Sequence, residues 1–414
     1  MPHTYDYNPA QQIYCLSAAS NAAGSTAGTQ QKLQAAMKTV LQDTLPELSG
    51  DWEVSWGPKV YCKQPDNDKG YVDNVWFAAA SESQKRVVVA IAGTAPPSID
   101  DLLQDVDVFE GVDLGAWYGT WKDDDVVKEP PVVWLTDLQQ KMSCASGTAT
   151  GVWNVLSHEA PRGCPGEGTY LYDYLQAIDK KPGWSIIFTG HSMGGAITPV
   201  LALGLLTWGK LSPGCHHFTM ASAGPSTTND VFSAEFHKEF PADRPAPVSP
   251  PAYAAFNTDL YNTQDIVPQA WSLDLQSDRN IGNITNHIYV LNRGSRPGTI
   301  SDDVWEYLAG ATLLSVAALS RYSAQYSCLQ GTPFTGRKIA FVSSLDELKA
   351  SVEKQHTKEY WHFIGIQDFE SQFEKQLFIQ PGVVKPEPRT PKRPVKETLT
   401  SLLEKAGATK KVVE

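Results

Sequence analysis

The sequence predicts an α/β architecture in which a mostly parallel sheet is covered by helices on both faces. Three observations lead there. Short β-branched runs are apolar along their whole length, as strands buried on two sides are. Segments of helical periodicity lie between them. One run also passes through a glycine-punctuated turn, Gly190 to Gly195, directly into a helical pattern.

Taken in order, residues 1–50 are polar and alanine-rich, and Thr29 to Leu45 places Leu33, Ala36, Met37, Val40 and Leu41 at helical spacing. That spacing predicts an N-terminal helix packed on the body. The first clear buried strand is Val87-Val-Val-Ala-Ile-Ala-Gly93, and Trp184-Ser-Ile-Ile-Phe-Thr189 is a second that runs into Gly190. Phe218 to Pro225, Ala254 to Asn257 with Leu260 to Asn262, and His287 to Asn292 read as further strands. Tyr170 to Ile178 and Ala196 to Thr207 read as intervening helices, and this alternation implies parallel strands.

Three stretches exceed a minimal sheet. Residues 109–146, rich in Trp, Tyr and Asp, read as an inserted lid. Residues 294–350 read as a helical cap, built on a helix from Asp302 to Leu319 whose Trp305, Leu308, Ala309, Thr312, Val316 and Leu319 share one face. Residues 380–414, rich in Pro and Lys, read as a flexible tail with a short helix near Lys396 to Ala406. The expectation is one domain over 1–379 followed by that tail.

Composition narrows the function class. A net charge of −12 over 414 residues opposes nonspecific binding to nucleic acid or to an anionic membrane, and suits uncharged or cationic substrates. The lysine-rich tail is diluted by Glu387, Glu397, Glu404 and Glu414, so it reads as a solvated extension. The start, Met1 to Pro9, has neither the basic residues nor the apolar run of a secretory signal, which predicts a cytoplasmic protein unless a signal has been removed. The longest apolar run, Ile197 to Trp208, contains Pro199 and falls short of the ~20 residues of a membrane span, so the protein is expected to be soluble or at most peripheral. Six cysteines, at 15, 62, 144, 164, 215 and 328, show neither Cys-x-x-Cys nor a Cys/His ligand spacing. Buried free thiols are expected, with no metal and no cofactor. Asp123 to Asp125 lacks the alternating ligand spacing of a calcium loop and reads as a solvated turn.

The segment Ser185-Ile-Ile-Phe-Thr-Gly-His-Ser-Met-Gly-Gly-Ala196 is where chemistry concentrates. Gly-x-Ser-x-Gly alone is a weak motif; between a buried strand and an amphipathic helix it describes a nucleophile elbow. A sharp strand-to-helix turn forces backbone close to backbone, so Gly190, Gly194 and Gly195 stand where side chains would clash. Ser192, beside His191, is pushed into the open at a helix N-terminus, whose free N–H groups favour developing negative charge. A serine hydroxyl is a poor nucleophile without a base, so a histidine and an acid are required.

The elbow Gly-His-Ser-Met-Gly-Gly-Ala resembles that of the class 3 lipases, a family with the α/β-hydrolase fold. Val87 to Thr94 followed by Asp100-Asp-Leu-Leu-Gln-Asp105 is similar to that family's oxyanion strand and loop. Thr150-Gly-Val-Trp153 and Phe218 to Pro225 are similar to the segments on either side of the elbow. Tyr261-Asn-Thr-Gln-Asp-Ile-Val-Pro268 resembles the acid motif, and His356-Thr-Lys-Glu-Tyr-Trp361 the histidine motif. The resemblance spans roughly residues 70–365 with gaps, the elbow and acid motifs being the specific ones.

The resemblance implies Ser192 as nucleophile, Asp265 as acid and His356 as base, in the chain order Ser, Asp, His that this fold uses. Asp265 precedes a proline after a strand-like segment, which suits a loop at a strand's carboxyl end. Asp259 and Asp274 are the alternative acids, and His362 and His287 the alternative bases among nine histidines. The backbone N–H groups of Met193 and Thr94 are the expected oxyanion donors, each worth ~3–4 kcal/mol on an acyl-transfer transition state. Two departures stand out: the family often has Arg where Ala92 stands before Gly93, and often places Tyr three residues after the histidine, whereas Tyr360 lies four after His356. The stretch between Asp265 and His356 is also longer than usual, which makes Trp305 and Leu308 of the cap candidates for an acyl pocket. The implied activity is ester hydrolysis by a lipase or carboxylesterase through an acyl-enzyme, on an ester or lipid small molecule, with at most transient contact with a lipid interface. The alternative is a lipase-like binding or signalling module without turnover.

Overall fold

Strand-forming segments and the helices between them assemble into one seven-stranded sheet and one three-stranded sheet. The protein is described here from a computed structural model over residues 5–92, 110–123, 127–213, 216–247, 251, 253–291, 298–320 and 326–385. The expectations placed on Gly93 to Asp105, Thr94 included, on Asp124, Asp125, Cys215 and Asn292, and on the tail beyond residue 385 lie outside the described residues.

The strands are β1 (Glu53–Tyr61), β2 (Asn74–Ser81), β3 (Arg86–Ala92), β4 (Glu110–Asp113), β5 (Val132–Trp134), β6 (Ser143–Ala145), β7 (Ser185–His191), β8 (His217–Ser222), β9 (Asp259–Asn262) and β10 (Gly331–Phe334). The large sheet runs β1-β2-β3-β7-β8-β9-β10. Its first two pairings are antiparallel and the others parallel. Val87 to Ala92 in β3 and Ile186 to Phe188 in β7 are buried, which is why these runs are apolar without alternation. Ala92 pairs with His191, and His191 with Ser222, so β3, β7 and β8 end level with one another. This mostly parallel sheet with helices on both faces is an α/β-hydrolase fold, and the carboxyl edge of such a sheet is where sites are built.

On one face, helix Pro9–Ala22 lies against β3 and β7 and packs on helix Gln367–Phe378, which in turn meets helix Gln30–Thr44 over β1. Asn8 caps it by accepting N–H bonds from Ala10 and Gln11, with Gln11 reaching back in a capping box. On the other face, helices Ser146–Ser157, Leu171–Asp179 and Met193–Trp208 pack with Val87, Val89 and Ile91.

Residues 110–145 form the small sheet, in the order β5-β4-β6, and helix Leu114–Asp123. That helix buries Trp117, Tyr118 and Trp121, and Tyr118 donates a 2.8 Å bond to the carbonyl of Val200 on the helix after Ser192. β5 stays exposed, with Trp134 at 50%.

Helix Asp302–Leu319 belongs to a third core cluster with Ile266, Val267, Ile284 and Ile288. Its buried stripe is Val304, Leu308, Ala311, Thr312, Ser315 and Leu319, which includes the expected Leu308, Thr312 and Leu319 and leaves Trp305, Ala309 and Val316 half-buried at its margin. Of the strand expected over His287 to Asn292, the described residues 287–291 hold only an isolated bridge from Leu291 to Ile300. Residues Ile284–Ile288 instead make one π-turn, closed by the Tyr289 N–H on the Ile284 carbonyl at 2.9 Å. Ile284 and Ile288, four apart, thereby face the same cluster. Ala254 to Asn257 is also outside the sheet, because Asn257 has φ 59° and accepts the Thr219 N–H at 3.0 Å. Among the described residues no helix is long and apolar enough to cross a membrane. Cys15, Cys62, Cys144 and Cys164 are buried free thiols and Cys328 is a half-buried one.

Candidate active site

β7 ends at His191 and the next helix begins at Met193, so Ser192, the one residue between them, makes the whole turn alone. Its φ of 60° and ψ of −128° are a conformation that a non-glycine residue adopts only when its surroundings impose it. They do so here through close backbone approach. A Cβ at Gly190 would stand 2.4 Å from the Gly194 carbonyl oxygen, and one at Gly195 would stand 2.6 Å from the Ser222 carbonyl oxygen. The Ser192 N–H donates to that same Ser222 oxygen at 2.9 Å. Met193 opens the helix, where an α-helix leaves its first N–H groups without intrahelical partners.

Asp265 follows β9 on a tight turn, its N–H bonded to the Asn262 carbonyl at 3.0 Å. The side chain is fully buried, and Oδ1 accepts the Val267 N–H at 3.0 Å. A buried carboxylate stays ionised only when its lone pairs are satisfied. The remaining oxygen, Oδ2, takes two further donors: His356 Nδ1 at 2.8 Å and the Tyr360 hydroxyl at 2.9 Å.

His356 sits in a π-turn, Lys354–Lys358, inserted between helices Leu345–Glu353 and Glu359–Ile364. Its Nε2 lies 2.9 Å from Ser192 Oγ. Because a carboxylate only accepts, Nδ1 carries the proton and Nε2 is left as the acceptor for the serine hydroxyl. Asn262, the last residue of β9, ties this turn to the sheet: its Nδ2 donates to the Gln355 carbonyl at 2.9 Å and to Gln355 Oε1 at 2.8 Å.

Ser192, Asp265 and His356 are therefore brought together, with Met193 adjoining. The alternatives are held elsewhere. Asp259 is buried against Arg279; burial raises its pKa to about 6, although the guanidinium pulls the other way. Asp274 caps an exposed turn through the Gln276 N–H, and His287 and His362 are exposed. Leu308 is fully buried and Trp305 half-buried in the third cluster, which also contains Ile266 and Val267 immediately after Asp265.

Sequence reasoning overlooked Asn262 and Gln355, and noted Tyr360 only as a departure in spacing without giving it a role. The signal for Tyr360 was its displaced spacing. A π-turn closes with an i→i+5 bond, here the Glu359 N–H on the Lys354 carbonyl, and so holds an extra residue. A tyrosine four residues after the histidine then reaches the same carboxylate.

Residues 167–274 match the family model for Lipase (class 3), a span that contains Ser192 and Asp265 and stops short of His356. No curated protein matches the chain. Among solved structures, the fold is similar to that of M37 lipase, at TM-score 0.63 and 21% identity over 90% of this chain and 98% of that one. Lower similarity is found to Lip2 lipase from Yarrowia lipolytica (TM-score 0.31, 18% identity, 49% of this chain and 58% of that one). The lipase from Rhizopus microsporus var. chinensis gives TM-score 0.36 and 17% identity, over 64% of this chain and 71% of that one.

Proposed function

We propose that this class 3 lipase-like chain is a serine hydrolase of carboxylic esters, acting through an acyl-enzyme on Ser192. The observation that supports it is the unbroken line from Ser192 Oγ through both nitrogens of His356 to Asp265 Oδ2, at 2.9 and 2.8 Å. With His356 Nδ1 donating to Asp265, Nε2 is the nitrogen left to accept from Ser192. His356 Nε2 takes the serine proton as Oγ attacks the ester carbonyl, and Asp265 stabilises the imidazolium that forms. Positioned proton transfer of this kind contributes ~10²–10⁴-fold in rate.

The tetrahedral oxyanion is received by the backbone N–H of Met193, which opens the helix after the nucleophile. His356 then gives its proton to the leaving alcohol, and the ester carbonyl is left bonded to Oγ. Water, deprotonated by the same nitrogen, attacks the acyl-enzyme, releases the acid and restores the Ser192 hydroxyl.

We assign the acyl side of the substrate to the region of the cap near Trp305 and Leu308, since their cluster includes Ile266, the residue after Asp265. The exposed Val132, Val133 and Trp134 fit transient contact with a lipid interface. Hydrolysis of p-nitrophenyl esters of increasing acyl length by the wild-type and Ser192→Ala proteins tests the reading. Turnover should vanish in the variant, together with labelling by a fluorophosphonate. Undiminished hydrolysis by Ser192→Ala would overturn it.

A further inference from the structure

His191 precedes the nucleophile, and a residue at this place in an elbow has no required role in the chemistry. Here it is only 3% exposed, and its two ring nitrogens both have partners. Nε2 lies 2.7 Å from the backbone carbonyl oxygen of His356, and Nδ1 lies 2.9 Å from Ser222 Oγ. A carbonyl only accepts, so Nε2 must be the protonated nitrogen. Nδ1 is then an acceptor, and the Ser222 hydroxyl donates to it.

Ser222 completes a closed circuit. Its carbonyl accepts the Ser192 N–H at 2.9 Å, and its hydroxyl holds His191. His191 holds the backbone of His356, and the His356 ring returns to Ser192 Oγ at 2.9 Å. The rest of the pocket fixes the imidazole plane. The ring centroid of His191 is 4.8 Å from that of His356, 4.9 Å from Tyr360 and 4.9 Å from Trp361.

We propose that His191 and Ser222 are positioning residues for the serine–histidine pair, joining the elbow to the π-turn so that His356 Nε2 is held in line with Ser192 Oγ. This rests on the ester-hydrolase reading above.

The π-turn is a single-turn interruption of the helix, a form that recurs at functional sites, and the His191 bond to the His356 carbonyl holds it from the elbow side as Asn262 holds it from β9. The tether must also be uncharged. A cationic imidazole at His191 would oppose the imidazolium that His356 becomes, and it would remove the acceptor for the Ser222 hydroxyl. Burial and the neighbouring His356 both hold the pKa of His191 well below the usual histidine range, which keeps the neutral form in place.

The test compares His191→Phe, His191→Gln and Ser222→Ala with wild type in steady-state hydrolysis of p-nitrophenyl butyrate, each preparation being checked by circular dichroism and thermal unfolding. Wild-type turnover and fluorophosphonate labelling first establish the hydrolase reading by themselves, so a failure there is separate from a failure here. His191→Phe removes both bonds while keeping a planar ring, and kcat should fall ~10–100-fold with KM within about twofold, as misalignment of reacting groups does. His191→Gln, which keeps a neutral donor toward the His356 carbonyl, should recover most of that loss. Ser222→Ala should lower kcat severalfold, and it carries the test by itself should His191→Phe fail to fold. A kcat within twofold of wild type in folded His191→Phe, or in Ser222→Ala when His191→Phe does not fold, would overturn the proposal. So would a His191→Gln protein no more active than a folded His191→Phe.

Discussion

Tyr360 and His356 donate hydrogen bonds to the same oxygen of Asp265, at 2.9 and 2.8 Å. The tyrosine hydroxyl in turn accepts the backbone N–H of Asn262 at 2.9 Å, so one phenol links the end of β9, the acid and the histidine helix. Burial and the negative charge of Asp265 raise the pKa of Tyr360 well above its ordinary value, which keeps it a donor. Tyr360→Phe removes both bonds and leaves a buried N–H without its partner. The expected result is a loss of ~1–3 kcal/mol of stability and a kcat lowered about tenfold. Urea unfolding with p-nitrophenyl butyrate kinetics measures both, and a variant matching wild type in each would show that Asp265 is held without the phenol.

The elbow glycines separate steric from conformational effects. Gly190→Ala sets a Cβ 2.4 Å from a backbone oxygen that has nowhere to move, and it should yield protein without activity or without a cooperative fold. Gly310, on helix Asp302–Leu319, has nothing within 4 Å of a built Cβ. Gly310→Ala should therefore raise stability by ~0.5–1 kcal/mol through the unfolded chain and leave ester turnover unchanged. Calorimetry of the two variants decides, and a destabilised Gly310→Ala would contradict the open space read at that position.

What was legible in the sequence was what local chemistry dictates. Val87 to Ala92 and Ile186 to Phe188 could be read because strands buried on two faces admit only apolar residues, and the elbow because only glycine fits the approach at 190 and 195. β1 escaped notice: it is an edge strand whose register shifts around Trp56 and Lys59 and which carries Pro58, a residue that weakens any strand pattern. Helix Pro9–Ala22 looked polar, yet it is buried with Ser20 bonded to the Ser17 carbonyl and Gln12 to the Tyr7 carbonyl and, across the fold, to Ser49. The π-turn at His356 left only a displaced tyrosine as its trace, since its geometry depends on Asn262 and Gln355 meeting across the fold.

Arg279 tests a different part of the frame. It is buried with Asp259 as its ion-pair partner, donates to the Leu329 carbonyl, and lies 4.7 Å over the Tyr261 ring. The pair pins the start of β9 to the segment entering β10. Arg279→Met strands a buried carboxylate, at a cost of ~3–5 kcal/mol. Asp259→Leu combined with Arg279→Met should recover much of that loss, because no charge is then buried. Urea midpoints for the single and double variants provide the measure, and additive losses would mean that the two residues act independently.

The last prediction concerns pH. Glu370 lies one helical turn from Glu374 on helix Gln367–Phe378, and burial, followed by the charge of Glu374, raises its pKa from 4.5 to about 7; Lys358 and Ser371 pull the other way. Between these two values the folded chain holds a proton that the unfolded chain has lost. The slope of stability with pH is set by protons bound in the unfolded state minus those in the native state, so it is negative here. The stabilising contribution is complete below pH 4.5 and disappears as pH rises through 7. Glu370→Gln keeps the uncharged form at every pH. It should therefore leave the unfolding temperature unchanged at pH 4.5, raise it by ~2 °C at pH 8, and flatten the profile between. Thermal unfolding from pH 4.5 to 8 checks this, and an unfolding temperature for Glu370→Gln that falls below wild type at pH 8 would show that the ionised carboxylate is tolerated there.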